Sequence, residues 1–350
     1  MATTAYGVNN ALAVKAWRRK LFVEALKQTW LAKFMGKDDR SPIQIMNDLQ
    51  KGPGDRITIG LRMQLTGAGV AGDGTLEGNE EALTTYSDNF VINQLRHAVR
   101  SDGKMSEQRV PFSVREQARL GLQDWWADRI DTSLFNQLGG NTAQADTKYT
   151  GMNATTAPSS NNIYYAEGHA SEASVASASA SCKFKLSYID AAVEKAKTNT
   201  PMIRPIKVNG EDKYVCFIHP YQVTALRTNT DTGQWLDIEK AAMAGMQSKK
   251  SPIYTGALGE YNGVVLHSST RIPFVTAKVG RAILCGAQAA AFATGQNNAP
   301  DKMTWVEELF DYGNQLGVSA GMIFGAKKMV FNSQDFGVIV IATYAQPLGT

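Results

Sequence analysis

Between Arg56 and Thr66 apolar and polar residues alternate without a break. Ile57, Ile59, Leu61, Met63 and Leu65 face one way, and Arg56, Thr58, Arg62, Gln64 and Thr66 face the other. Period two is the mark of a half-buried β-strand. At about 3.3 Å per residue this run predicts a strand of roughly 36 Å, well beyond the usual length. A glycine-rich tip follows (Gly67, Gly69, Gly72, Gly74, Gly78) and carries Asp73, Glu77, Glu80 and Glu81. A second extended run returns through Tyr86, Phe90, Ile92, Leu95 and Val99. A two-stranded ribbon this long cannot bury its apolar face alone, and no helix adjoins it in sequence. The pattern predicts an arm that finds its cover on another subunit.

Helical periodicity appears on both sides of the ribbon. Over residues 11 to 35, Phe22, Leu26, Trp30 and Phe34 recur every fourth position. Asn9 or Asn10 can cap this helix and Gly36 can end it in a left-handed conformation. Lys15, Arg18, Arg19 and Lys20 make its first half basic. Two readings stand: a helix docked on the core with a solvated charged face, or an arm lying across a neighbouring molecule. Residues 113 to 138 predict a second helix, about 39 Å long at 1.5 Å per residue. Ser113 and Glu116 have capping-box spacing, Gly139-Gly140 stop it, and Ala118, Leu122, Trp125, Trp126, Ile130, Leu134 and Leu138 form its apolar stripe.

From Asn141 to Ser181 the composition shifts to Asn, Thr, Ser, Ala and Gly, ending in the low-complexity run Ser174–Ser181. This predicts loop or surface insertion. Beyond it, a helical pattern at Tyr188–Lys197 leads to a hairpin of Pro205–Val208 and Tyr214–Ile218 turned by Asn209-Gly210. Pro220 opens a short helix through Arg227. Strands are expected at Val264–His267 and Ala282–Cys285, and two long β-prone runs, Asn314–Phe331 and Phe336–Tyr344, meet near Asn332–Gln334. The order is mixed α+β, with the last strands placed to rejoin the long helix.

Composition narrows the class only a little. The 350 residues are 43% hydrophobic and 19% charged, which describes an ordinary folded chain. A net charge of +4 lacks the dense Lys/Arg clustering of a dedicated nucleic-acid binder. Cys182, Cys216 and Cys285 are odd in number and far apart, so they suggest neither a disulfide framework nor a zinc knuckle. Met1 to Asn10 lacks the regions of a secretory signal, and no apolar stretch approaches the roughly 20 residues of a membrane span. The expected site of synthesis and assembly is a cytoplasm.

Two motifs invite catalytic readings. Gly67–Gly72 matches G-x-G-x-x-G after a strand, but a dinucleotide site needs a helix to open at once so that its amides hold the pyrophosphate. Here Asp73, Gly74, Glu77 and Gly78 follow. A soluble nucleotide-binding enzyme is therefore the remote alternative. Gly317-Val-Ser-Ala-Gly321 matches the nucleophile elbow, which requires its histidine downstream of the serine. His97, His169, His219 and His267 all precede Ser319. The residues support no catalytic, cofactor or metal site, and the expectation is that the chain is not an enzyme.

Seven islands spread along the chain resemble one known family. They are Gly54–Leu65, Leu76–Leu83, Gln94–Arg100, Trp125–Arg129, Phe217–Tyr221, Gly256–Gly263 and Phe324–Lys328. In order and content they are similar to the major capsid proteins of tailed bacteriophages typified by the coat of the coliphage called N-four.

That resemblance implies the Hong Kong 97-type phage capsid fold. It implies an N-terminal arm over 1–50, an extended β-hairpin loop over 51–104, and a peripheral domain with a spine helix over 105–140. A loop or insertion at 141–186, an axial domain at 187–300 and peripheral-domain strands at 301–350 complete it. The implied function is a structural one: hexamers and pentamers that close an icosahedral shell around double-stranded DNA, in a virion assembled in the host cytoplasm. A bacterial encapsulin-like nanocompartment shell is the alternative within the same fold.

On this reading Asp73, Glu77, Glu80, Glu81 and Arg62 are candidate inter-subunit contacts, with a basic socket guessed at Arg115, Arg119 and Arg129. Lys15, Arg18, Arg19 and Lys20 are candidates to face DNA. The chain begins just before the arm helix, so a separate scaffolding protein is expected, together with a portal protein and a possible decoration protein. No lysine lies between Gly52 and Gly103. The lysine crosslinks by which some relatives lock their shells are therefore not expected through this loop.

Overall fold

Val114–Gly139 forms the expected long helix, here α1. Ser113 Oγ accepts from the Glu116 N–H at 3.3 Å, and Gly140, at φ 60°, closes the other end in the left-handed region. Ala118, Leu122, Trp126, Ile130, Leu134 and Leu138 are buried, and Trp125 is half-buried. The computed structural model describes residues 29–47, 54–109, 113–208, 210–229, 259–276, 278–295 and 304–347. Lys15, Arg18, Arg19 and Lys20, the expected helix before residue 29, and Asn209 lie outside the described residues.

The α1 stripe packs on a six-stranded sheet. Its long central strand β11 (Gln315–Lys328) pairs antiparallel with β4 (Asn93–Arg100), β9 (Ala290–Thr294) and β10 (Thr304–Phe310). β1 (Ile43–Met46) runs parallel to β9, and Met35–Gly36 runs parallel to β1. A second sheet of eight strands has the order β5 (Ile163–Tyr165), β12 (Val338–Tyr344), β8 (Val279–Cys285), β6 (Glu211–Ile218), β7 (Val264–Ser268) and Glu260–Tyr261, with two short flanking strands. Period two divides its residues between two cores. Val215, Phe217, Ile283, Cys285, Val338 and Val340 face α1. Cys216, Ile218, Ala282, Leu284, Ile339 and Ile341 face the helices α2 (Glu172–Ala178) and α3 (Leu186–Thr198). The short helix α4 (Pro220–Thr228) is capped by His219 and Gln222.

The two layers are tied at the C-terminal end of α1. Arg281 of β8 donates to the carbonyls of Gly139 (2.7 Å) and Gly140 (2.6 Å) and pairs with Glu172 of α2 at 2.6 Å. A cation here meets carbonyls that the helix itself leaves unpaired.

Several expectations need correction. Trp30–Phe34 is one 3₁₀ turn followed by a strand, not the end of an α-helix. The Asp131 carboxylate of α1 accepts from the Trp30 N–H (2.8 Å) and the Leu31 N–H (3.1 Å) and so pins this segment to the helix. Gly36 is needed for close approach, since a Cβ there would lie 2.1 Å from Ser41 Oγ. The first ribbon strand spans seven residues rather than eleven. The returning run is two strands divided at Ile92 and assigned to different sheets. The 141–181 stretch is no simple surface loop: β5 pairs with β12, and α2 buries Val175 completely. Ala290–Thr294 lies in the sheet under α1, and Val338–Tyr344 in the other.

Candidate assembly surfaces

The ribbon is built from β2 (Arg56–Arg62) and β3 (Thr85–Val91), paired antiparallel from Arg56–Val91 to Arg62–Thr85. Its base is covered by its own chain, which corrects the expectation that cover comes only from elsewhere. Ile57, Phe90 and Ile92 are buried with Ala291, Ala293, Met329 and Phe331, and the hairpin of Val330–Phe331 and Gln334–Asp335 supplies part of that lid. The lid lies about 240 residues from β3 in sequence, so no local pattern announces it. Asp88 of β3 is further held by Lys327, with 15% and 11% of the two side chains exposed, and by the Val330 N–H at 3.1 Å.

Beyond Arg62 the two strands part. The Met63 N–H still donates to the Thr84 carbonyl at 3.0 Å. The Glu81 carboxylate then crosses the loop to accept from the N–H groups of Thr66 (2.8 Å) and Gly67 (2.7 Å). These backbone donors hold its carboxyl below the usual carboxylate range. They engage the main chain beyond the point where regular pairing of the two strands has ended. Glu81 is thus an internal tie of the tip, and Glu80 accepts from the Gly78 N–H at 2.8 Å. Asp73, Glu77 and Arg62 are exposed, as are Leu65, Leu76 and Leu83 at 63%, 61% and 56%. The tip therefore presents acid and apolar side chains together.

The three spine arginines differ in what they do. Arg115 pairs with Glu307 of β10 at 2.8 Å, and that carboxylate is almost sealed from solvent. Arg129 donates to the Thr147 carbonyl at 2.6 Å. Arg119 is half-buried one turn along α1 from Arg115. All three thus already serve interactions within the chain. Sequence reasoning missed the ties at Asp88–Lys327, Arg281–Glu172 and Asp131–Arg271 (3.1 Å). All three join residues far apart in sequence. Their one legible trace is the adjacent pair Lys327-Lys328 in a β-prone run, where alternation sends the two lysines to opposite faces.

The catalytic motifs dissolve in the fold. Gly67–Gly72 lies on the surface, and no helix follows it within the described residues through Thr84. Ser319 lies inside β11, its Oγ donating to the Val306 carbonyl at 3.3 Å. Among the described residues no group of His, Cys, Asp or Glu is placed to hold a metal ion, and no helix is long and apolar enough to cross a membrane. The three cysteines are buried, and burial pushes the thiols of Cys216 and Cys285 up.

A family model described as phage capsid protein matches residues 4–347. The major capsid protein of Pseudomonas phage KPP25 is 29% identical over 358 residues, spanning 92% of this chain and 93% of that one. Among solved structures, the capsid of Ralstonia phage GP4 superposes with a TM-score of 0.78 at 32% identity over 100% of both chains. The capsid of cyanophage Pam1 superposes with a TM-score of 0.73 at 20% identity, over 91% of this chain and 93% of that one. The layers, ribbon and spine helix are those of the Hong Kong 97-type fold. With the family model running nearly end to end, the chain belongs to the phage capsid protein family, a structural rather than an enzyme family, and is a major capsid protein of tailed phages.

Proposed function

We propose that the ribbon tip is the arm by which one copy engages the next as hexamers and pentamers close an icosahedral shell. Closed symmetric assembly requires each copy to offer a patch and a matching socket. The observation that carries the reading is the contrast along the ribbon. Ile57 and Phe90 at its base are buried by the chain itself, while Leu65, Leu76 and Leu83 at its tip stand open beside Asp73 and Glu77. Burying apolar surface is worth about 25 cal/mol per Å², and repetition over a shell multiplies a weak contact. The socket is basic; the exposed edges of Arg115, Arg119 and Arg129 are its candidates.

We propose a finer partner set on the strength of the family resemblance. It comprises a scaffolding protein, a portal protein, a possible decoration protein and packaged double-stranded DNA, with assembly in the host cytoplasm. Phosphate attraction at Lys15, Arg18, Arg19 and Lys20 would be independent of sequence and sensitive to salt.

The test replaces the open apolar residues, Leu76→Asp with Leu83→Asp, and leaves Glu81 in place because it ties the loop. Light scattering and negative-stain imaging should find folded, unassembled chain. Normal shells from that variant would overturn the reading.

A further inference from the structure

Asn153 lies in the stretch that composition marks only as insertion, yet its carboxamide grips the point where the ribbon leaves the body. Its Oδ1 accepts from the Val91 N–H at 2.8 Å. Its Nδ2 donates to the Val91 carbonyl at 2.9 Å and to the Ala326 carbonyl of β11 at 3.2 Å. One side chain thus takes both main-chain groups of Val91, as a hydrogen-bonded residue on a neighbouring antiparallel strand would. Val91 ends β3, Asn93 begins β4, and the single residue between them, Ile92, is buried. The clamp is itself held, because Gln137 of α1 donates from Nε2 to the Asn153 carbonyl at 2.6 Å and to the Thr150 carbonyl at 3.1 Å.

A second observation falls on the same junction. A Cβ at residue 325 would lie 2.3 Å from the Val91 carbonyl oxygen and 3.2 Å from Ile92 Cα. β11 admits the β3–β4 junction this closely because Gly325 has no side chain.

We infer that Asn153 is the positioning residue of the ribbon, setting the direction in which β2 and β3 leave the sheet of β11. The Asp88–Lys327 pair is a second anchor within the same strand. Without the carboxamide, both main-chain groups of Val91 lose these partners, and the ribbon can pivot at Ile92 about its remaining anchor at Asp88 and the apolar contacts of its base. The consequence for assembly rests on the proposed role of the ribbon as an intersubunit arm. An arm already fixed in direction gives up less orientational freedom on contact.

The native cysteines are buried, so spin labels can be placed by Thr75→Cys at the tip and Gln117→Cys on α1 in the full-length unassembled chain. Double electron–electron resonance should give one narrow distance distribution in this labelled parent. Asn153→Ala should broaden it about twofold, by releasing a locally stabilised unit. Asn153→Asp keeps the acceptor but sets a carboxylate oxygen against the Val91 and Ala326 carbonyls, and should broaden it at least as much. Thr155→Ala removes a bond of the same segment to the Asn141 carbonyl (3.1 Å) but none to the ribbon, and should leave the width unchanged. A parental width in folded Asn153→Ala, or in Asn153→Asp should the alanine variant not fold, overturns the inference. Equal broadening by Thr155→Ala overturns it too, as a general loosening of the segment. Shell formation is scored separately: a broadened ribbon with normal shells keeps the positioning role and counts against the arm.

Discussion

Lys328 Nζ lies 2.8 Å from Asp335 Oδ1, and the two side chains are sealed from solvent at 0% and 1% exposure. Lys328 also donates to the carbonyls of Thr156 (3.2 Å) and Ala157 (3.4 Å), and Asp335 accepts from the Ser159 N–H at 3.3 Å. Burial pushes the lysine down and the aspartate up in pKa, while their mutual attraction opposes both shifts. The pair closes the hairpin that lids the ribbon base. The residue before it, Lys327, turns the other way to hold Asp88.

Removing one member strands a buried charge. Lys328→Met should therefore cost about 3–5 kcal/mol in urea denaturation, whereas Lys328→Met with Asp335→Leu should recover most of that loss. A single-variant cost below about 1 kcal/mol would mean that solvent screens the pair as it does a surface one.

Acid should loosen the seat of the 30–34 turn. The His267 ring lies 5.8 Å from Trp30, 5.1 Å from Phe34 and 6.4 Å from Phe217. Burial, then the charge of Lys33, lowers its pKa to about 4. Because the folded value lies below the ordinary histidine value of about 6.5, the unfolded chain binds the proton first. The stability contributed by neutral His267 is complete above about pH 6.5 and is lost as pH falls towards 4. Screening at a half-buried ring keeps the effect on the order of 1 kcal/mol. His267→Phe should flatten the pH dependence of the denaturation midpoint between those values; an unchanged slope would assign it to other groups.

The same turn is held from α1 by Asp131, which also pairs with Arg271. Asp131→Asn keeps one acceptor but loses the charge, at a cost of about 1.5–3 kcal/mol. Hydrogen exchange at the Trp30 and Leu31 amides should accelerate in this variant. Protection equal to the parent would show that the aromatic packing alone holds the segment.

Covalent locking through the ribbon is not expected, since residues 53 to 102 contain no lysine. Assembled shells boiled in denaturant should run as one monomer band. A ladder of oligomers whose crosslinked peptides map to the ribbon would contradict this.

The tip of the ribbon shows how far a local pattern reaches. Alternation from Arg56 onward identified the strand, but regular pairing stops at Arg62, and beyond it Glu81, fifteen residues from Thr66, holds the Thr66 and Gly67 amides. Asn153 and Val330 act on the ribbon from 62 and 242 residues away, and no periodicity encodes such distances. The apolar helix stripe and its Ser113 and Gly140 ends were legible because caps and 3.6-residue spacing are local physics. Ser174–Ser181 was misread because low complexity hides one decisive residue, Val175, which the core buries completely.

By itself the sequence determined the existence and type of the long helix, the ribbon and most strands, since each depends on neighbours within a few residues. It also carried the family resemblance. Only the tertiary structure decided which strands share a sheet, where the returning run divides at Ile92, and which buried charges find each other. Those outcomes depend on desolvation and close approach between distant segments, and such interactions exist only once the chain has folded.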